Sequence, residues 1–300
     1  MLALLLSAVV WASAFVGTRL ALRSFAPQHV ALLRYLTASL VFAGIAAARR
    51  VPLPARRDLL GIGALGITGI TVYNLVIAHA QVHVPAGTAS MLIASAPLWM
   101  AVLGATFLGE RLNAWAVLGI VASCAGVAII ALGKGRGLGL DAHALLLLGA
   151  AVAQATYFIG QKRLVARYGA LPFTAYAVWA GTLALFPFGG GMIDAVRRAP
   201  WTGALAVLYL GVVPGALGYA TWAYGIARTP ALTAASFLYL VPAFALGIAW
   251  VVLGEVPSAL SLLGGALVVG GVVVVQRLRG APPLTLARRL ASLPPWRATK

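Results

Sequence analysis

Ten stretches of about twenty residues, each continuously apolar, follow one another along the chain and decide what it can become. They run at residues 2–22, 29–48, 59–80, 86–108, 113–132, 142–164, 172–190, 202–225, 231–253 and 259–276. Each is long enough to cross the hydrocarbon core of a bilayer as a helix. Outer-membrane strands alternate apolar and polar residues over about ten positions, which these segments do not. Only 9% of the residues are charged. A soluble domain needs about a quarter to coat its surface, so lipid is the remaining solvent. The expected fold class is an all-α integral membrane protein of ten transmembrane helices.

The formal net charge of +17 does not point to nucleic acid, because the basic residues cluster in short breaks between apolar segments and at the C-terminal end. That is the signature of cytoplasmic loops. With the N-terminus inside, Arg49, Arg50, Arg56, Arg57, Arg111, Lys162, Arg163, Arg167, Arg228 and the basic tail all fall inside. Only Arg19, Arg23, Lys134, Arg136, Arg197 and Arg198 fall outside. Both termini are therefore expected in the cytoplasm. The first apolar segment starts at Met1 with no basic leader and reads as a first span, not a cleaved signal. The single cysteine, Cys124, lies within an apolar run and can form neither an intrachain disulfide nor a metal site.

Residues 86–130 recur at 231–275 with a constant offset of 145. Ala96-Pro97 matches Val241-Pro242, Leu108-Gly109-Glu110 matches Leu253-Gly254-Glu255, and Gly119 and Gly126 match Gly264 and Gly271. Phe15 and Gly17 correspond to Phe158 and Gly160 at a slightly different offset. The expected units are 1–132 and 142–276, joined by a linker at 133–141 and followed by a basic tail at 277–300. Each unit holds five segments. Five crossings are odd, so the second unit enters the membrane from the opposite face. Inverted repeats of this kind place a substrate site between the halves, near the midplane of secondary transporters.

These residues carry a family resemblance. Trp11-Ala12-Ser13-Ala14-Phe15, Pro27 with Leu33-Arg34-Tyr35, Pro97, Leu108-Gly109-Glu110-Arg111-Leu112 and the returning Leu253-Gly254-Glu255 follow in order. The chain resembles the EamA family of the drug/metabolite transporter superfamily over nearly its whole length. That resemblance implies a ten-helix carrier in the plasma (inner) membrane, with cytoplasmic termini and a central cavity. It also implies export of amino acids or related neutral or zwitterionic metabolites. His79 stands where the family usually has an apolar residue, and Gln154 replaces an aromatic.

Polar side chains in lipid are costly and usually face the bundle interior. Gln154, Tyr157 and Gln161 share a helix face at i, i+3, i+7; Trp11 and Phe15 are spaced i, i+4; Tyr219 and Trp222 are spaced i, i+3. Asn74 aligns with Tyr219 in the repeat, and Tyr239 lies in the ninth segment. Together with His79, a titratable group in the third segment, these are the expected substrate-cavity residues. Their chemistry describes an aromatic, hydrogen-bonding, uncharged site. The competing reading makes the aromatics interfacial belts and the amides bridges between helices. Arg34, about two turns into the second segment, either snorkels to the interface, caps neighbouring helices or meets a substrate carboxylate.

Pro97 and Pro242 are expected to kink their helices as hinges. Glu110 and Glu255 are expected at helix ends, as gate or helix-end groups. The paired glycines permit close helix approach, either inside the molecule or at the seam of a homodimer. None of the five acidic residues falls mid-segment, so no buried carboxylate is available to exchange protons. No phosphate-binding GxxxxGK[ST] loop or HExxH metal motif occurs, so neither cofactor nor metal is expected. A membrane enzyme is disfavoured, because serine, histidine and carboxylate candidates share no helix face. A scaffold or lipid-translocating subunit is the alternative to a carrier. The partners expected are a small-molecule substrate and membrane lipid, not nucleic acid.

Overall fold

A computed structural model describes residues 1–108, 114–132, 142–226 and 237–278. The described residues form helices and no strands. We number the helices α1 (Leu2–Ala21), α2 (Pro27–Arg49), α3 (Arg56–Gln81), α4 (Ala86–Ile93), α5 (Ala96–Leu108), α6 (Ala114–Leu132) and α7 (Ala142–Tyr168). They continue as α8 (Ala170–Leu185), α9 (Met192–Arg198), α10 (Trp201–Ile226), α11 (Leu240–Leu253) and α12 (Ala259–Leu278). Pro27 opens α2 in its first turn, where a missing N–H breaks no helical bond.

Among the described residues six helices are long and apolar enough to cross a membrane: α1, α2, α3, α7, α8 with its short 3₁₀ extension, and α10. The fourth expected segment is not one helix. It breaks at Ala94-Ser95 into α4 and α5, with Pro97 in the first turn of α5. The Leu92 carbonyl accepts both the buried Ser95 hydroxyl at 2.7 Å and the Ser95 N–H at 3.1 Å. In the ninth segment a 3₁₀ turn, Phe237–Tyr239, precedes α11, in which Pro242 is third; residues 231–236 lie outside the described residues. The expected proline kinks are thus breaks at helix starts. One element is unexpected: α9 is a short helix in the loop that carries Arg197 and Arg198.

Two helices change their winding. Ile67–Val72 in α3 and Gly211–Leu217 in α10 are π-helical. The repeat offset carries one onto the other with a one-residue difference in length. Pro214, which has no N–H to donate, sits inside the second.

The packing exchanges partners between the two halves of the chain. α1 packs on α10 and α11, whereas α7 packs on α3 and α5. Gly17 of α1 lies against Leu210 of α10, and Gly160 of α7 lies against Leu65 of α3. α2 and α8 are also paired: Ser39 Oγ meets Thr182 Oγ1 at 2.8 Å, and Trp179 Nε1 donates to the Ser39 carbonyl at 3.2 Å. α6 and α12 pack along each other with Gly126 on Gly264 and Gly119 on Gly271, an antiparallel register. A Cβ on Gly126 would collide with the Gly264 carbonyl, so the backbones touch. Ser123 Oγ donates to the Val268 carbonyl at 3.1 Å in the same seam. The expected small-residue stripe is therefore used inside the molecule.

Candidate functional site

Where the broken fourth and ninth segments meet α1, α3, α7 and α10, the bundle leaves a cavity of about 80 Å³. Its wall draws on both halves of the chain. Trp11, Ala14, Phe15 and Thr18 present one face of α1, at the i, i+3, i+4, i+7 spacing of a helix. Gln154 and Phe158 do the same for α7, and Tyr73, Ile77 and Gln81 for α3. Pro97 and Met100 of α5, Tyr219 of α10 and Pro242 of α11 complete the enclosure, so both proline breaks border the space.

The aromatic side is built in two layers. The Trp11 indole packs edge-on to Tyr219 with ring centroids 5.5 Å apart. Trp222 lies behind it at 5.1 Å and touches Phe158 at 6.5 Å. The polar side carries the Gln154 amide, the Tyr73 hydroxyl and Gln81. Gln81 is fully buried and donates to the Phe15 carbonyl at 2.9 Å, while its Oε1 has no partner.

Arg34 lines the same cavity. Its guanidinium lies over the Tyr35 ring, 5.3 Å from the centroid. The Tyr35 hydroxyl accepts a hydrogen bond from Asn74 Nδ2 at 3.0 Å, and Asn74 also donates to the Ile70 carbonyl of the π segment at 2.8 Å. The space is therefore not uncharged, as the side-chain inventory of the sequence had implied.

The structure sorts the expected cavity residues into two groups. Trp11, Phe15, Gln154 and Tyr219 line the space, with Pro97 and Pro242 at its edge. Trp222 backs Trp11 from the second layer. Asn74 points to Tyr35 instead. Tyr157 packs its ring on Gly69 and Phe173, because the α7 face turned to the cavity is Gln154/Phe158. Gln161, one turn further along α7, is outside the lining. His79 is exposed and bonds only the Leu75 carbonyl of its own helix, at 2.8 Å. Glu110 and the side chain of Tyr239 lie outside the described residues.

Glu255 is a helix-end group held by an arginine. It pairs with Arg19 at 3.0 Å and accepts the Ala86 N–H at 2.8 Å. Among the described residues no group of three or more potential metal-binding side chains occurs. Thr18, Tyr73, Gln81, Met100 and Phe158 also line the cavity, outside the set expected from sequence. The i, i+4, i+8 spacing of Tyr73, Ile77 and Gln81 was the available signal.

A lipid-length helical bundle that closes a polar, aromatic cavity between its two halves is built as a membrane carrier. The comparisons make the class specific. The chain belongs to the EamA-like transporter family, whose model matches residues 1–132 and 142–277. It is thus an integral membrane transporter and not an enzyme. It is 40% identical to a "Probable terminal-alkyne amino-acid exporter" of Streptantibioticus cattleyicolor, covering 98% of this chain and 97% of that one. It is 36% identical to the "Uncharacterized transporter YdfC" of Bacillus subtilis, over 88% and 86% of the two chains. A "Probable amino-acid metabolite efflux pump" of Salmonella typhimurium is 27% identical, over 90% and 92%. A protein solved by crystallography shares the fold with a TM-score of 0.63 at 22% identity, covering 97% of this chain and 98% of that one.

Proposed function

We propose that this transporter is a secondary carrier that exports amino acids or closely related zwitterionic metabolites by alternating access. It would sit in the plasma (inner) membrane with both termini in the cytoplasm, as its basic loops favour. In this reading ten spans form two inverted five-span units, residues 1–132 and 142–276. Three facts support the inversion: the exchanged Gly17–Leu210 and Gly160–Leu65 contacts, the antiparallel α6–α12 register, and the matched π segments. Halves that pack interchangeably have two nearly equivalent arrangements, and passing between them exposes a central site to either side.

The observation that carries the reading is the composition of the cavity wall. Hydrogen-bonding groups (Gln154, Tyr73, Tyr219) and aromatic ones (Trp11, Phe15, Phe158) share the wall, and the six come from both halves. Ligand pockets usually span about 300 Å³ or more. A metabolite would therefore enter only when the walls part. The helix breaks beside Pro97 and Pro242 are the places where the backbone ladder is already interrupted. The relatives named as amino-acid exporters support the substrate class.

The test is flux into proteoliposomes holding the purified chain, with leucine, phenylalanine and the terminal-alkyne amino acid propargylglycine. Saturable flux of at least one, weakened in Trp11→Ala and Gln154→Ala, is expected. Absence of flux for all three, from protein shown to be folded, would falsify the amino-acid reading.

A further inference from the structure

Arg34 lies deep in the bundle, only 9% exposed, yet its Nε has no hydrogen-bond partner. Among the described residues its side chain forms no ion pair or hydrogen bond; its guanidinium lies over the Tyr35 ring and acts electrostatically on the Tyr73 and Tyr219 hydroxyls. A desolvated cation without a counter-ion is strongly unfavourable, and proteins normally pair such a group or let it reach water. The side chain instead borders the cavity, beside Tyr73, Tyr219 and Gln154. Among the described lining residues there is no carboxylate, so Arg34 is the only ionised group on that wall.

The geometry points to Arg34 as the anchor for a carboxylate carried by the substrate, an inference that rests on the cavity being the carrier site. Guanidinium and carboxylate match as two parallel N–H···O bonds, which a neutral amide cannot form with the same strength. With the carboxylate on Arg34, the Tyr73 and Tyr219 hydroxyls and the Gln154 amide are at hand for its remaining lone pairs. The apolar body extends towards Trp11, Phe15 and Phe158. The α-ammonium of an amino acid meets no acidic partner there and rests on aromatic faces only. Recognition is thus of an apolar monocarboxylate, and the amine is dispensable. A bare amine or a neutral apolar solute is excluded by the positive charge left unpaired.

The experiment compares three probes with one body as competitors of amino-acid flux in proteoliposomes: propargylglycine, its carboxamide, and pent-4-ynoate, which lacks the amine. The carboxamide is expected to compete at least about tenfold more weakly than propargylglycine, and pent-4-ynoate to remain within about threefold. Arg34→Gln should weaken the two acids at least about tenfold and leave the carboxamide unchanged, while Arg34→Lys restores part of the loss. If Arg34→Gln fails to fold, the three probes on the natural chain still decide. Equal competition by acid and carboxamide overturns the inference while leaving the carrier reading intact. Competition by chloride or inorganic phosphate equal to that of pent-4-ynoate also overturns it, since Arg34 would then hold a simple anion. Absence of flux for leucine, phenylalanine and propargylglycine removes the amino-acid reading, and this inference with it.

Discussion

Arg19 Nε donates to Glu255 Oε1 at 3.0 Å, and the second oxygen of that carboxylate accepts the Ala86 amide at 2.8 Å. The same guanidinium donates to the Gln81 carbonyl at 2.7 Å. One ion pair therefore ties α1 to the end of α3, the start of α4 and the turn before α12. Gln81 lines the cavity just below it. We predict that this cluster closes one mouth of the site. Glu255→Gln keeps the shape and removes the charge. In a Cys124→Ser background, a cysteine placed at Thr18 should then react about tenfold or more faster with a membrane-impermeant thiol reagent, the size of one charge-assisted hydrogen bond. Unchanged labelling would show that the closure lies elsewhere.

The Asn74–Tyr35 hydrogen bond is buried and holds the ring over which Arg34 lies. Asn74→Leu and Tyr35→Phe should each destabilise the protein by about 1–3 kcal/mol, since either leaves a buried polar group unpaired. The double variant should cost less than the sum by about 1 kcal/mol. Thermal unfolding in detergent reads all three, and strict additivity would mean that the two side chains are not coupled.

Trp11 borders the cavity, whereas Trp222 supports it from behind. Trp11→Ala should therefore raise KM for the transported amino acid about tenfold or more. Trp222→Ala should lower thermal stability with a smaller change in KM. A reversed order would mean that the substrate lies on the other side of the indole pair.

His79 is exposed and turned to its own backbone, so it is not placed to relay protons through the cavity. His79→Ala should leave both the flux and its pH dependence unchanged. Loss of a pH-driven component in that variant would reinstate the histidine as a coupling group.

The α6–α12 seam has no room for a side chain at Gly126. Gly126→Leu should destabilise the fold by about 1–3 kcal/mol or more, because helix backbones in contact cannot relax around it. Its mass in detergent should not change, since the seam is internal. A change from dimer to monomer would instead place this stripe at an interface between copies.

How far the sequence reached differs between fold and site. The apolar run at 2–22 and its neighbours gave helix positions to within a few residues, because the bilayer fixes both the length and the continuity of such a segment. The faces of those helices were harder to read. Gln154 was legible as a cavity residue, yet its neighbour on that face is Phe158, not Tyr157. In α3 a straight-helix wheel cannot be carried through the π segment at Ile67–Val72, since widening the turn rotates every side chain beyond it. Asn74 aligns with Tyr219 in the repeat, yet it is Tyr73 that lines the cavity while Asn74 bonds Tyr35.

By itself the sequence determined that this chain belongs in lipid, that its backbone must satisfy itself as helices, and that its two halves repeat. Those properties follow from local composition and from a register that alignment exposes directly. Tertiary structure decided which polar groups share one space. Arg34 could have reached the interface, but the helix crossings leave its guanidinium beside the cavity. Glu255 could have stood free, but the chain brings Arg19 to it across more than two hundred residues of sequence. Such pairings depend on where helices cross and rotate, and that is set by the sum of many packing contacts, not by any one residue's neighbours in the chain.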